Sequence, residues 1–169
     1  YPEAFPEPRD RCFSTHPDAL YLRSTTDNYA PYARADLKTD IQTNLLHLMD
    51  VLPNVPGTFN MVSSWFIYAG GRETSPAALA RETDLGRPIG FYSATKACAE
   101  QLVEGYQRAV SGRPYRILRL CGVIGNDPRA GKQKNALEHM LGCLVRGEPV
   151  QVYTGEAARD ILHVDDVCS

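Results

Sequence analysis

The sequence has no Cys-x-x-Cys pair. Its five cysteines, Cys12, Cys98, Cys121, Cys143 and Cys168, are odd in number and far apart. That argues for free thiols in a reducing, cytoplasmic setting rather than a disulfide frame. The four histidines, His16, His47, His139 and His163, show no metal-ligand spacing, so no metal site is expected. There is almost no net charge, -2 formally, and therefore no electrostatic case for a nucleic acid or an anionic membrane as partner. No apolar run approaches the roughly 20 residues that span a bilayer. The opening Tyr-Pro-Glu-Ala-Phe-Pro-Glu-Pro reads as neither a signal nor a transit peptide. Internal repeats and low-complexity tracts are missing. So is any Gly-x-Gly-x-x-Gly or Gly-x-x-Gly-x-x-Gly, the turn that seats a dinucleotide pyrophosphate on a helix N-terminus. The run from Gly125 to Gly131-Lys132-Gln133 is one residue too long for a phosphate loop. It also has Gln where Ser or Thr would hold magnesium.

What is present reads as an ordinary globular composition. The 169 residues are 43% hydrophobic and 22% charged, enough to bury a single core. Residues 1–17 are rich in proline and charge and read as a lead-in. Ala19-Leu-Tyr-Leu-Arg23 is a strand candidate. From Ala35, the leucines and isoleucine at 37, 41, 45, 48 and 52 recur at helical spacing until Pro53. Thr58-Phe-Asn-Met-Val-Ser63 reads as the next strand, followed by a loop from Ala69 to Pro88. A helix carries Tyr92 and runs to about Val110, with Ser111-Gly112 as its stop. Tyr115 to Cys121 is a strand, Gly122 to Lys134 a polar loop, Asn135 to Val145 a helix, and Pro149 to Tyr153 a short strand. Arg159 to Val164 closes the pattern, with Asp165 and Asp166 opening a last helix.

Strands that alternate with helices argue for an α/β architecture with a parallel sheet. Such sheets place ligands at the carboxyl ends of their strands. Ser64 would stand just past one strand, and Tyr92 at the start of the following helix. Tyr92 and Lys96 lie four residues apart, so a helix projects both from one face. A free phenol has a pKa of about 10 and is a poor base at neutral pH, whereas a nearby ammonium favours the phenolate. The same spacing also fits an exposed tyrosine and lysine on an amphipathic helix.

Four stretches together change that balance. Val62-Ser-Ser-Trp-Phe-Ile-Tyr-Ala-Gly70, Phe91-Tyr-Ser-Ala-Thr-Lys-Ala-Cys-Ala-Glu100, Arg116-Ile-Leu-Arg-Leu-Cys-Gly-Val-Ile-Gly125 and Arg159-Asp-Ile-Leu-His-Val-Asp-Asp-Val167 appear in this order. In order and spacing they resemble motifs of the extended short-chain dehydrogenase/reductases, specifically the NAD-dependent epimerase/dehydratase branch that acts on nucleotide sugars. The resemblance implies a partial Rossmann-like domain, with residues 122–158 in the substrate-binding region and NAD or NADP as cofactor. It implies Tyr92 as general acid/base, Lys96 as its partner and as a contact of the nicotinamide ribose, and Ser64 as a hydrogen-bond donor to the same sugar oxygen. It implies Arg159 on the substrate diphosphate, a task suited to a fixed guanidinium. Asn135 would contact the diphosphate or nucleotide, or else simply cap its helix. Arg159 has its own plainer reading, an ion pair with Asp160 or Asp165. Ser63 reads as a strand-end residue and His163 as a packed or hydrogen-bonded histidine. The resemblance also implies a homodimer through the 35–52 and 92–110 helices, although burial against the chain's own sheet explains the same apolar residues.

The sequence departs from the family pattern in three places. The first βαβ unit with its Gly-rich loop is absent, so the alignment begins just before the family's fourth strand, and little activity is expected of this chain by itself. Gly122 stands where the family usually has Asn. Trp65-Phe66 follows Ser64 where 4,6-dehydratases place an Asp-Glu pair, which disfavours water elimination and leaves epimerase or keto-reductase chemistry. A second reading keeps the fold but makes it a catalytically silent binding or structural module. Cofactor binding separates the two.

Overall fold

A computed structural model describes residues 16–25, 37–72, 80–125, 136–150 and 160–169. Asn135, Arg159 and most of the expected strand Pro149–Tyr153 lie outside these residues. Three parallel strands form the main sheet in the order β1 (Ala19–Tyr21), β2 (Phe59–Ser64), β3 (Tyr115–Leu120). Phe59 stands opposite Ala19 on one side and Tyr115 on the other, and Ser64 opposite Leu120. Parallel neighbours need long crossovers, and helices supply them here. Between β1 and β2 run α1 (Leu37–Ile41), a π-turn (Gln42–Leu46) and α2 (His47–Val51). Between β2 and β3 come a 3₁₀ turn (Trp65–Tyr68), α3 (Ala69–Arg72) and the long α4 (Gly90–Tyr106).

The core lies between the sheet and these helices. β2 alternates so that Phe59 and Met61 face inward, where Tyr21, Leu48, Val51, Leu52, Val55, Ala99 and Val103 meet them. That two-residue period is what a pleated strand requires. Beyond α4 a π-turn (Gln107–Ser111) leads to Gly112 at φ +67°. A side chain is strained in that conformation, and glycine ends the helix there without cost.

The helix before β2 follows the expected span, but its buried face differs. Leu48 and Leu52 enter the core, while Leu37 and Ile41 are exposed and Asp40 and Asn44 are buried in their place. The π-turn adds a residue to one helical turn and rotates the face that meets the sheet. Hydrogen bonds from Asn44 make its burial tolerable.

A second, two-stranded parallel sheet pairs β4 (Gly122–Ile124) with β5 (Ile161–His163). β4 falls in the stretch expected to be a loop. α5 (Ala136–Val145) lies between them in sequence, and α6 (Val164–Cys168) follows. His163 caps α6, its Nδ1 accepting from the Asp165 amide at 3.3 Å. Asp165 and Asp166 occupy the first turn, where negative charge is favoured.

Candidate active site

The carboxyl ends of β1, β2 and β3 open on one rim, and of the expected residues Ser64, Tyr92 and Lys96 lie there. β2 ends at Ser64, whose side chain is 9% exposed. Its backbone is extended, and its Oγ accepts a hydrogen bond from the Phe66 amide at 3.3 Å. Ser64 thus caps the 3₁₀ turn and fixes where the strand stops. The turn carries Trp65 against Phe66, with ring centroids 4.5 Å apart. Phe66 in turn meets the Tyr92 ring edge-on at 6.4 Å, a favoured aromatic geometry. The strand end that bears Ser64 and the helix that bears Tyr92 are therefore in contact.

Tyr92 and Lys96 are both buried in the first turns of α4, at 6% and 3% exposure. The amphipathic-surface alternative for this pair does not hold, because neither side chain faces solvent. The Lys96 ammonium donates to the Val62 carbonyl of β2 at 3.0 Å. Burial pulls its pKa down from 10.5 to about 8, and the Glu100 carboxylate opposes that fall. A lysine so placed gives up a proton far more readily than one in water.

A polar network that sequence patterns did not single out surrounds the pair. Asn44 donates to the Thr95 hydroxyl at 2.9 Å and to that of Thr25 at 3.1 Å, and it accepts from the Thr25 amide at 3.0 Å. Thr95 donates to the Tyr92 carbonyl at 2.9 Å. The loop after β1, the π-turn and α4 are thereby joined next to Tyr92. Glu100, 3% exposed, is bound by Arg119 of β3, with Nη2 at 2.8 Å from Oε2 and Nε at 3.2 and 3.1 Å from the two oxygens. The signal for this pair was available: Glu100 stands one helical turn beyond Lys96, and Arg119 lies on the facing strand. Ser63, on the inward face of β2, is buried, and its Oγ meets no hydrogen-bond partner among the described residues.

Gly70 shows a second local constraint. Its amide donates to the Arg87 carbonyl at 2.7 Å, and a Cβ there would stand 2.6 Å from that oxygen. Only glycine lets the loop return this close to the turn after Ser64. Among the described residues no group of three or more His, Cys, Asp or Glu could hold a metal ion, and no helix is long and apolar enough to cross a membrane.

A parallel α/β sheet with a buried Tyr-x-x-x-Lys helix at its carboxyl rim defines the class: a Rossmann-like domain of the short-chain dehydrogenase/reductase type. Residues 9–169 match the family model described as the NAD dependent epimerase/dehydratase family, and the chain belongs to that family. Among solved structures it is similar to RMD from Pseudomonas aeruginosa complexed with NADPH, at 24% identity and a TM-score of 0.75. That match covers 94% of this chain and 54% of the other. It is similar to a UDP-glucose 4-epimerase from Thermotoga maritima with UDP-glucose, at 26% identity, TM-score 0.71, and 93% and 52% coverage. A UDP-N-acetylglucosamine 4-epimerase from Methanobrevibacter ruminantium M1, in complex with UDP-N-acetylmuramic acid, gives 21% identity and a TM-score of 0.72, with 89% and 48% coverage. The chain spans about half the length of these structures. Comparison with curated proteins gives no match.

Proposed function

We propose that the chain carries the proton-transfer site of a nucleotide-sugar epimerase or keto-reductase that works with NAD or NADP. The observation that carries this reading is the meeting of the Ser64 turn with the buried Tyr92–Lys96 pair at the sheet's carboxyl rim. Tyr92 exchanges a proton with a sugar hydroxyl or carbonyl. Ser64 donates a hydrogen bond to the same oxygen and holds it in line. Lys96 favours the phenolate by its charge. The relatives complexed with UDP-sugars and with NADPH support both ligand classes.

The residues present fit the nicotinamide end of such a cofactor. An ammonium has three N–H donors, and the Val62 carbonyl takes one, so Lys96 keeps donors for ribose hydroxyls beside Tyr92. When bound, a nicotinamide supplies the hydride acceptor and donor that the chain's own side chains lack. The pyrophosphate end finds no glycine-rich turn anywhere in the sequence. Weak cofactor binding and little turnover by this chain alone follow from that.

Asn135 and Arg159 serve the substrate's nucleotide and diphosphate in this reading, within a substrate region spanning 122–158 of one domain. Unpaired Cys98, Cys121, Cys143 and Cys168 favour a cytoplasmic setting. A homodimer through the 35–52 and 92–110 helices is supported by exposed Leu37, Ile41, Leu46, Met49 and Val110. Leu48, Leu52 and Val103 are taken up by the chain's own core. The test is conversion of UDP-sugars in the presence of added NAD or NADP, with Tyr92→Phe as control. Epimers are separated by chromatography for epimerase chemistry, and net reduced nicotinamide is read by fluorescence for keto-reductase chemistry. Tyr92→Phe lowers the rate about a hundredfold or more. Turnover that survives this change at full rate refutes the assignment.

A further inference from the structure

The buried carboxylate of Glu100 does not touch the reaction site, yet the arginine that binds it also holds the turn that Ser64 caps. Arg119 occupies the centre of the arrangement. Its guanidinium grips both oxygens of Glu100 on α4. Its Nη1 donates to the Tyr68 hydroxyl on the turn that Ser64 caps and to the Glu82 carbonyl at 3.0 Å. One planar fork on β3 thus binds α4, the 65–68 turn and the loop at residue 82 together, the geometry for which arginine is suited. An ion pair of this burial is a poor device for stability alone, because apolar residues of similar volume do as well.

We infer that Glu100 and Arg119 are positioning residues: their pair clamps the Ser64 turn to the helix of Tyr92 and Lys96, and Glu100 holds the Lys96 charge in place. The inference rests on the reading of Tyr92, Lys96 and Ser64 as the reaction site. Lys96 and Glu100 are four residues apart on α4, so the carboxylate lies one turn beyond the ammonium. On α4 the ionisable groups besides Lys96 are Tyr92, Cys98, Glu100, Glu104 and Tyr106, of which Tyr92 and Glu100 lie one turn from Lys96. The elements packed against α4 add Lys38 and buried Asp40 on α1, Tyr68 on the turn, Arg108 on the π-turn after α4, and Tyr115, Arg116 and Arg119 on β3, while β2 contributes none. Of these, Glu100 is the group whose charge acts on Lys96 against the effect of burial. Arg119 takes part of that same carboxylate, which ties the charge state of Lys96 to the grip on the turn.

The test is the titration of the Lys96 ammonium, followed by NMR of the purified chain with ¹³C-labelled lysine, in wild type and in Glu100→Gln. No turnover is needed, so an inactive chain does not confuse this test with that of the proposed function. The expected midpoint in the variant lies below that of the wild type by about one pH unit or more, with far-UV circular dichroism unchanged. A purely structural role predicts the opposite sign, since loosening the helix lets water reach Lys96 and moves its midpoint up toward 10.5. An unchanged or raised midpoint overturns the inference. Should Glu100→Gln fail to fold, Glu100→Asp draws the carboxylate back from Lys96 while keeping a partner for Arg119, and it is expected to lower the midpoint in the same direction by a smaller amount; an unchanged or raised midpoint there overturns the inference equally. The clamp has its own readout in Trp65, the one tryptophan of the chain, which sits on the clamped turn. Arg119→Lys keeps the charge but loses the fork, and it is expected to shift Trp65 emission to the red. Emission identical to wild type overturns the clamp.

Discussion

Replacing Lys96 with methionine should make the folded chain more stable at neutral pH, and the gain should vanish in alkali. Burial lowers the Lys96 pKa from 10.5 to about 8. At 1.36 kcal/mol per pH unit this corresponds to about 3 kcal/mol spent on keeping the ammonium charged in the interior. Methionine has a similar length and no charge, so it recovers that cost. It gives up the bond to the Val62 carbonyl, which is worth about 1 kcal/mol. The net expectation is a gain of about 2 kcal/mol at pH 7. The sign with pH follows from linkage. The folded pKa is below the unfolded one, so between pH 8 and 10.5 the unfolded chain binds more protons. Wild-type stability from this group therefore rises through that window, and the advantage of Lys96→Met shrinks over the same range. Urea unfolding of both proteins at intervals from pH 7 to 10 measures the difference, and subtraction removes every group the two share. A difference that stays flat from pH 7 to 10, or a wild type more stable than the variant at pH 7, refutes the reasoning.

Asn44→Ala removes the side-chain bonds to Thr25 and Thr95 and should cost about 1–3 kcal/mol, read as a lower thermal midpoint; an unchanged midpoint contradicts it. His47 has its pKa lowered by burial, and Arg23 adds to that effect. Its folded pKa is depressed, so stability is lost as pH falls below 6.5, and His47→Phe should flatten that acid limb in unfolding scans. If the proposed dimer forms through this helix, Leu37→Lys with Ile41→Lys halves the mass read by light scattering without lowering helix content. A wild type that is monomeric at micromolar concentration refutes the dimer.

The elements of the main sheet could be read from sequence because they obey local rules. β2 alternates around Phe59 and Met61, the π-turn that continues α4 stops at Gly112, and each strand of the main sheet is divided from the next by a helical period. The gathering of Ser64, Tyr92 and Lys96 at one rim was legible for the same reason, since parallel topology decides where strand ends point. Other features depend on tertiary structure. The π-turn at Gln42–Leu46 rotated the buried face and put Asp40 and Asn44 where a leucine stripe was expected. β4 is three residues led by a glycine, too short to carry a period, and it exists only because β5 lies beside it. The Glu100–Arg119 pair joins residues on different elements: the position of Glu100 one turn beyond Lys96 is visible locally, but its partner on β3 is fixed only by the packing of helix on sheet.

The central claim is that Tyr92 and Lys96 face the nicotinamide end of a dinucleotide. Saturation-transfer NMR tests it most directly, with NAD and NADP added in turn to the purified chain and to Lys96→Met. This method detects the weak binding expected without a glycine-rich turn. The account predicts saturation on the nicotinamide and its ribose in wild type, reduced strongly in the variant. No saturation of either nucleotide, or nicotinamide saturation that Lys96→Met leaves unchanged, contradicts it.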